Sequence, residues 1–212
     1  MSTPARRRPG RPRKMPAEEQ RELILRGART AFAGVGRSAA TIEQIAETSG
    51  VTRQAVYEQF GGKDALFDAT VHQLLAELLA AVGPLPEAEV ETRRGWAFHM
   101  LAVVYTMFRD VPETFALFKE AQRVGNPEAT PFLDKLRVMY ADTLRVVYPD
   151  PELGHTADVV AGMVIGMVEA LLTMDHPRGA PGTDIAVDLI REFVQGGIGR
   201  LRESPGLVEA LR

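Results

Sequence analysis

Hydrophobic residues along this chain recur every three to four positions, which is the spacing of an amphipathic helix. In the segment after Pro16, the apolar stripe consists of Leu23, Ile24, Gly27, Ala28, Ala31 and Phe32. The acidic pair Glu18 and Glu19 favours the positive end of a helix, and Gly34 with Gly36 predicts its end. We therefore predict a first helix between about residues 16 and 36.

Two short helices are predicted next, with a glycine between them. Thr41 stands where a cap is expected for the first of them, and Ser49 with Gly50 interrupts it. Thr52 caps the second, TRQAVYEQF, which places Val56 and Phe60 on its buried side. Two short helices joined across a glycine turn predict a helix-turn-helix, and we call residues 41–60 the reading head.

The rest of the pattern is also helical. One long amphipathic helix is predicted from Lys63 to Gly83, followed by helices at roughly 88–109, 112–124, 130–148, 155–175 and 183–202. Proline and glycine interrupt the pattern between them, and no strand-like alternation competes. The predicted fold is all-α with about nine helices, a three-helix head and a larger helical body.

Composition narrows the class of protein. The chain has 212 residues, of which 45% are hydrophobic and 25% charged, as expected for a globular protein. It contains no cysteine, which excludes disulfides, thiolate metal sites and a thiol nucleophile. We expect no membrane segment, because no uncharged apolar run approaches the ~18 residues required, and no secretion signal. The expected location is the cytoplasm.

Charge is distributed unevenly between the two parts of the chain. Residues 1–64 carry 12 basic and 7 acidic side chains, whereas residues 65–212 carry 13 basic and 21 acidic ones. The sign of a local field selects what approaches a surface, so a basic head on an acidic body predicts a polyanionic partner at one end. Nucleic acid is the leading candidate.

The basic excess begins in an amino-terminal arm, residues 1–15. Its first 14 residues include six basic residues, three prolines and no acid, so we expect disorder in isolation. The run from Pro9 to Pro12 resembles the centre of an AT-hook, which makes Arg11 and Arg13 candidate minor-groove contacts. Pro9 replaces the usual arginine, so a general minor-groove or phosphate-binding arm is expected. The alternative is a solvated tail that adds only salt-dependent affinity.

The segment ATIEQIAETSGVTRQAVYEQFGGKDALF resembles the DNA-binding signature of the TetR family. The resemblance covers roughly residues 18–78 and is carried by these positions: Thr41, Ile45, Ala46, Gly50, Val51, Tyr57, Phe60, Lys63 and Leu66. It implies a DNA-binding domain at 16–64 and a ligand-binding and dimerisation domain at 65–212. It further implies a dimeric repressor of a palindromic operator, released by a small apolar or aromatic inducer, with activation left open.

Candidate base contacts lie at the start of the second short helix. A recognition helix reads base edges through side chains near its amino-terminal end, and here these are Thr52, Arg53, Gln54 and Ala55. Arg53 suits guanine, Gln54 suits adenine, and Ala55 suits a thymine methyl group. The alternative for Arg53 is an ordinary solvated side chain.

Candidate phosphate contacts surround that helix. Tyr57 offers a hydroxyl group, Thr41 offers a hydroxyl and a backbone N–H at a helix start, and Lys63 begins the next helix. The family resemblance adds Gln59 as a further phosphate contact. The alternative for Tyr57 is a rim residue packed on the first helix.

Aromatic and methionine side chains in the central helices predict an effector pocket, because they form adaptable apolar walls. The candidates are Trp96, His99, Met100, Val103, Tyr105, Phe108, Phe115, Phe118, Met139, Tyr140 and Met163. Trp96 and His99 stand one turn apart and are the favoured pair for stacking and hydrogen bonding. Ordinary core packing is the alternative for each. We expect the ligand to wedge these helices apart and swing the helix that begins at Lys63.

Two late helices are candidates for a dimer interface. Residues 159–168 are apolar nearly all round, and the last helix carries a similar face. We expect the two helices to form an antiparallel pair that meets its copy in a four-helix interface, through Gly162, Ile165, Gly166, Leu189 and Phe193. A two-fold dimer would read two half-sites of a palindrome. The alternative is an intramolecular core helix.

An enzyme is the main competing class, and its sequence support is weak. Histidines 72, 99, 155 and 176 show no H-E-x-x-H spacing, and the chain contains no G-x-S-x-G motif. We therefore expect no catalysis, metal or cofactor. A purely architectural DNA-binding protein is the second alternative, which an enclosed cavity in the body would disfavour.

Overall fold

A computed structural model describes residues 15–87, 89–149, 151–174 and 179–203, with side chains omitted at 151–155 and 202. The helices in these ranges are α1 (Ala17–Ala39), α2 (Ile42–Ser49), α3 (Arg53–Phe60), α4 (Lys63–Val82), α5 (Val90–Asp110), α6 (Pro112–Arg123), α7 (Ala129–Val147), α8 (Pro151–Thr173) and α9 (Thr183–Arg202). The described part of the chain contains no strand. The predicted all-α fold of about nine helices is confirmed.

The head is a small three-helix core built on α1. Ile24, Ala28 and Phe32 on one face of α1 are fully buried, and they pack with Ile45 of α2 and Val56 of α3. The ring of Phe32 also meets Phe67 of α4 edge to face, with 5.0 Å between ring centroids. The head therefore continues into α4, and the two parts of the chain share one core.

The end of α1 differs from the sequence prediction. Gly34 stays helical, and only Gly36 leaves helical geometry, with φ of 76° and ψ of 164°. The chain then regains helical geometry and ends at Ala39, whose neighbour Ala40 donates its N–H to the carbonyl of Gly36 at 3.1 Å. A single glycine costs a helix only about 1 kcal/mol, which the packing of α1 outweighs at Gly34.

Gly27 lies at a close approach between α1 and α2. A Cβ atom built on Gly27 would lie 2.1 Å from Oγ of Ser49 and 3.3 Å from the carbonyl oxygen of Ile45. Ser49 is itself buried and donates its hydroxyl to that carbonyl at 2.7 Å. The glycine therefore sets the distance between α1 and the reading head.

We expect Gly27→Ala to lower the free energy of unfolding by about 1–3 kcal/mol, because the added methyl group overpacks the contact. Chemical denaturation of the purified protein measures the change. Gly34→Ala, at a helical site with no heavy atom within 4 Å, is the matched control and should be neutral or stabilising. Equal losses in both variants would contradict the close approach.

The body consists of α5 to α9, of which α5, α6 and α7 pack against α4. Thr156 and Ala157 in the first third of α8 line the same depression as Ile198 near the end of α9, so these two helices run antiparallel as predicted. The hydroxyl of Tyr105 in α5 donates to the carbonyl of Pro181 at 2.8 Å, and Thr106 pairs with Thr183 at 2.7 Å. These two bonds fix the start of α9 against α5.

Two of the helices that the structure describes are long and apolar enough to span a membrane by length and composition. They are Lys63–Val82 and the segment Thr156–Thr173 of α8. The first supplies core residues such as Leu66, Leu74 and Leu78, which are fully buried. The second is apolar partly on an exposed side, where Val159 and Met163 are 41% and 57% exposed.

Candidate nucleic-acid interface and effector cavity

The reading head is fixed by two threonine caps. Thr41 Oγ1 accepts the N–H of Gln44 at 3.2 Å, and the Gln44 side chain accepts the N–H of Thr41 at 3.0 Å, which is a capping box. Thr52 Oγ1 accepts the N–H of Ala55 at 3.1 Å at the start of α3. Between the helices, Gly50 takes the left-handed conformation with φ of 66°. This geometry is a helix-turn-helix with α3 as the recognition helix.

The first turn of α3 presents polar side chains to solvent. Thr52, Arg53 and Gln54 are all exposed, as expected for base-contacting residues. Ala55 is 8% exposed and faces the core beside Val56, so the predicted contact of Ala55 with a thymine methyl group is wrong. The physical reason is the helical rotation of about 100° per residue, which turns Ala55 inward once Val56 is buried.

The exposed polar groups of α3 have weak local partners. Arg53 lies 3.5 Å from Glu43 of α2, and Gln54 donates to Glu58 at 2.7 Å. Both pairs lie in solvent, where such contacts contribute little and exchange readily for others. Tyr57 is 53% exposed, so its hydroxyl is available to a phosphate instead of packing on α1.

Lys63 and Gln59 have structural partners that the sequence did not predict. Lys63 Nζ donates to the carbonyls of Ser38 and Ala40 at 3.1 Å each, at the end of α1. Gln59 Nε2 donates to the carbonyl of Ala17 at 3.2 Å, at the start of α1. Gln59 therefore holds the start of α1 on the reading head, and Lys63 holds the end of α1 at the start of α4. A phosphate contact by either side chain would use only its remaining N–H groups.

The positive charge of the amino-terminal part resides in the arm. Residues 15–64 contain six basic and seven acidic side chains, so the whole excess of residues 1–64 comes from residues 1–14. Arg11 and Arg13 lie outside the described residues. The charge available to attract a phosphate backbone is thus concentrated in the arm, next to a head that is nearly neutral.

The body holds an apolar cavity of about 30 Å³ between α5, α6, α7 and α8. Four predicted ligand contacts line it, namely Met100, Phe108, Phe115 and Phe118. The other lining residues were not predicted from the sequence as ligand contacts; they are Leu101, Val104, Leu133, Leu136, Ile165, Val168, Glu169 and Leu172. Leucine and valine at helical spacing look the same whether they fill a core or line a cavity, so no signal distinguished them.

Several other predicted ligand contacts lie away from this cavity. His99 is exposed and Trp96 only half-buried, so the favoured pair of Trp96 and His99 does not line it. Val103 is half-buried elsewhere on α5, and Met139 lines a separate open depression beside Gly83. A one-turn spacing places two side chains on one face of a helix, but it does not say which face is inward.

The two tyrosine candidates are buried structural residues. Tyr105 holds Pro181, as described above, and its burial raises the pKa of its hydroxyl, partly offset by the nearby Arg109. Tyr140 is 2% exposed and does not line the cavity. Its burial also raises the pKa of its hydroxyl well above the ordinary value. Both predicted ligand contacts are therefore wrong for this cavity.

Two candidate residues on α8 each lie on the side of the helix opposite to the one that the predicted role requires. Met163, predicted to contact ligand, is 57% exposed on the outer face beside Phe193 of α9. Ile165, predicted to lie in the dimer interface, lines the internal cavity instead. The two residues lie about 200° apart around the helix, and an all-round apolar helix gives no sequence signal for which side is outward.

The outer face of α8 and α9 is apolar and exposed. It includes Val159, Met163, Ile185, Leu189 and Phe193, each between 41% and 66% exposed. Gly162 and Gly166 lie on the same exposed side, and a Cβ on Gly166 would meet no heavy atom within 4 Å. This face, called the α8–α9 face below, has no partner among the described residues.

Helix α6 connects the cavity to the head. Phe115 and Phe118 line the cavity, and Glu120 on the same helix accepts the backbone N–H of Arg37 at 2.8 Å beside the Gly36 kink. Hydrogen bonds from Arg123, and further the Arg37 N–H, hold the pKa of Glu120 below its ordinary value despite partial burial. The guanidinium group of Arg37 forms an ion pair with Asp64 at the start of α4, with 2.9 Å between Nη2 and Oδ1.

The histidines of the described part of the chain do not gather into a candidate metal site. No group of three or more His, Asp or Glu side chains there is suited to hold a metal ion. His72 pairs with Glu128 at 2.9 Å on the surface, and His99 is solvent-exposed. His155 and His176 lie outside the described side chains.

These features define a helix-turn-helix protein whose DNA-reading head is mounted on a helical body. Residues 24–70 match the family model described as "Bacterial regulatory proteins, tetR family". Residues 24–70 therefore carry a DNA-binding domain of the TetR family type, and the curated relatives below are transcriptional regulators that match this part of the chain.

Curated relatives match mainly in the amino-terminal part. The chain is 40% identical over 68 residues to the HTH-type transcriptional repressor AcnR of Corynebacterium jeikeium, covering 31% of this chain and 36% of that protein. The alignments with the first three curated relatives span about a third of each relative's length. The chain also aligns over a longer range with the HTH-type transcriptional regulator BetI of Rhizobium meliloti. The two are 27% identical over 161 residues, which cover 70% of this chain and 75% of that protein.

Solved structures share the fold over nearly the whole length. A TetR-like transcriptional regulator from Rhodococcus sp. RHA1 superposes with a TM-score of 0.73 at 19% identity, covering 88% of this chain and 99% of that chain. NalD of Pseudomonas aeruginosa, described as the secondary repressor of the MexAB-OprM multidrug efflux pump, gives 0.61 at 18% identity, with 85% and 96% covered. At these identities the likeness concerns the fold.

Proposed function

We propose that this protein is a cytoplasmic, ligand-responsive transcriptional repressor that binds a palindromic operator as a homodimer. The observation that carries the proposal is the exposed first turn of α3, where a Thr52 cap presents Arg53 and Gln54 within the segment that matches the family model. AcnR and NalD are both described as repressors, which supports repression as the mode of action.

The α8–α9 face supports the homodimer. Large apolar residues rarely stay exposed together on a monomer, and self-association of this face would cover Leu189 and Phe193 of both copies. Exposed glycines at 162 and 166 permit the close approach of a partner helix. One α3 reads too few base pairs for specificity, whereas two related by a two-fold axis read both halves of a palindrome.

Release of the operator by an effector requires the cavity to open, so that the effector can bind. Ligand pockets commonly measure roughly 300–1,000 Å³. The cavity here is about 30 Å³, so a ligand binds only if the surrounding helices separate. Ligand binding then favours the open conformation, because that conformation binds ligand more tightly. Operator affinity changes because the two conformations also differ in their affinity for the operator. We therefore infer that the closed body is the operator-binding state.

The route from cavity to head runs through α6 in this proposal. Movement of Phe115 and Phe118 carries Glu120 with them, and Glu120 holds the Arg37 N–H at the end of α1. No residue of α4 is among the described residues that line the cavity. A ligand would therefore not push α4 directly, and the expected swing of α4 would be caused by movement of α6 and α1.

Glu120→Ala should accelerate hydrogen exchange of the Arg37 amide by at least about tenfold. The N–H loses a charged acceptor, and such hydrogen bonds contribute roughly 1.5–3 kcal/mol. Exchange measured by NMR or mass spectrometry tests this. Arg123→Ala leaves the Glu120 carboxylate in place and is the control, with a smaller expected change. Equal protection in both variants would contradict a role for Glu120 in holding the head.

A mobility-shift titration on the intergenic DNA upstream of the gene tests operator binding. Arg53→Ala should weaken binding about tenfold and change which base is preferred at one position of each half-site, because a bidentate arginine contact gives roughly 1–3 kcal/mol of discrimination. Tyr57→Phe should weaken binding of all sequences alike, because a phosphate contact carries no base preference. Unchanged base preference in Arg53→Ala would exclude direct reading by that residue.

A further inference from the structure

The exposed face of α3 includes an acidic residue that was not predicted from the sequence as a DNA contact. In a helix each residue is turned by about 100° from the one before, so Glu58 lies only about 40° around the axis from Gln54. Both side chains are exposed, whereas Ala55 and Val56 are buried in the head. Glu58 therefore belongs to the face of α3 that meets the DNA in the proposed complex.

A hydrogen bond joins Glu58 to Gln54. Gln54 Nε2 donates to Glu58 Oε1 at 2.7 Å, one helical turn further along α3. The bond uses one of the two hydrogens on Nε2, so the Gln54 amide keeps an acceptor and a donor for a base. A carboxylate only accepts hydrogen bonds, so Glu58 offers its second oxygen, and no donor, to whatever faces α3.

The charge of Glu58 is not neutralised by an ion pair in the part of the chain that the structure describes. Arg53, the single basic residue of α3, lies 3.5 Å from Glu43 of α2 instead. Phosphates and base acceptors repel a carboxylate, and a carboxylate that enters a groove also loses its water. Glu58 therefore weakens DNA binding unless a hydrogen-bond donor on the DNA faces it.

The major groove offers two kinds of donor, the N6 amine of adenine and the N4 amine of cytosine. The adenine amine lies between two acceptors, N7 of the same base and O4 of the paired thymine, and both repel a carboxylate. The cytosine amine has an acceptor on one side only, O6 of the paired guanine, because its other neighbour is the C5–H group. Cytosine is therefore the base that suits the Glu58 carboxylate best.

We propose that Glu58 is a specificity-determining residue that accepts a hydrogen bond from the N4 amine of one cytosine in each half-site, with Gln54 holding its carboxylate in place. This inference rests on the proposed function and specifies one base pair of the operator. Arg53 reads a different base pair, because its side chain lies about 140° from Glu58 around α3. The carboxylate disfavours the other bases at its own position, so it contributes more to specificity than to affinity.

Selection of binding sites from a randomised DNA duplex library, with the full chain and with Glu58→Gln, tests the proposal. We expect the unaltered protein to prefer cytosine at least about fivefold at one position of each half-site. Glu58→Gln should lose that preference, because an amide both donates and accepts, and it should bind mismatched sites more tightly than the unaltered protein does.

Glu47→Gln is the matched control, because it removes the same charge from an exposed residue of α2. It should leave the base preference unchanged. An unchanged cytosine preference in Glu58→Gln would overturn the proposal, and so would an equal gain in affinity for all sequences, which is the result of general repulsion alone. A cytosine preference that depends on Arg53 and not on Glu58 would also overturn it.

A modified base tests the same contact without altering the protein. Replacing the selected cytosine with 2-pyrimidinone removes the N4 amine and keeps the ring. The unaltered protein should lose at least about fivefold in affinity by mobility shift, whereas Glu58→Ala, which has no acceptor, should be insensitive to the replacement. An equal loss in both proteins would show that the weaker base pair is responsible, and would refute the contact with Glu58.

Failure of this inference differs from failure of the proposed function. If the unaltered protein selects a palindrome and Glu58→Gln selects the same one, the role of Glu58 is wrong while the regulator remains supported. If the unaltered protein selects no sequence, the proposed function itself fails. The two failures are therefore distinguishable.

Discussion

Replacing Leu189 and Phe193 together with glutamate is expected to convert the protein to a monomer and to lower operator affinity by at least about a hundredfold. The two side chains are 53% and 62% exposed on the α8–α9 face, so the substitution leaves the core of each protomer intact. In a dimer, the charged groups would be buried against their copies without partners. Linking two DNA-reading heads commonly raises avidity by roughly 10²–10⁴, and the monomer loses this gain.

Sedimentation analysis and mobility shift, on one preparation, measure the two effects. Val138→Glu, which replaces another exposed apolar residue, 44% exposed on α7, is the matched control. It should leave both association and DNA binding unchanged. A doubly substituted protein that remains dimeric would contradict an interface on the α8–α9 face, and a monomer with full affinity would contradict cooperative reading of two half-sites.

Removal of residues 1–14 is expected to give the second large effect. The segment carries six basic residues, and the remaining head carries no net positive charge. Each neutralised phosphate contributes about 0.9 to the salt dependence of binding, so the plot of log affinity against log salt should become shallower by up to about 5. At low salt the loss of affinity should be at least about a hundredfold, and it should shrink as salt rises.

Two further variants distinguish the possible roles of the arm. Arg11→Lys with Arg13→Lys keeps the charge but removes the planar guanidinium groups, which narrow A·T-rich minor grooves favour. A general phosphate-binding arm tolerates this change, whereas minor-groove recognition loses its preference for A·T-rich flanks. Unchanged affinity and an unchanged salt slope after deletion of the arm would show that it plays no part in DNA binding.

The head could be predicted closely from the sequence because its signals are local. Thr41 and Thr52 are efficient caps, Gly50 suits the left-handed turn between helices, and the family motif has fixed spacing. Each of these is set by the backbone within a few residues. The structure therefore reproduces the predicted helix-turn-helix, and only Ala55 was placed on the wrong side of α3.

The body could be predicted only in outline, because its decisive features depend on contacts between distant helices. The helix boundaries follow from proline and glycine. Met163 and Ile165 were each placed on the opposite side of α8 from the one observed, because residues 159–168 are apolar nearly all round. His99 suggested a ligand contact and is exposed.

Footprinting of the purified protein on the upstream intergenic DNA is the most direct measurement of the claim that two α3 helices read one operator. The predicted result is a protected palindrome whose half-site centres lie one or more helical turns apart, occupied by two protomers, with protection weakened by Arg53→Ala. A protein that stays monomeric and leaves duplex DNA unprotected at low salt would contradict it.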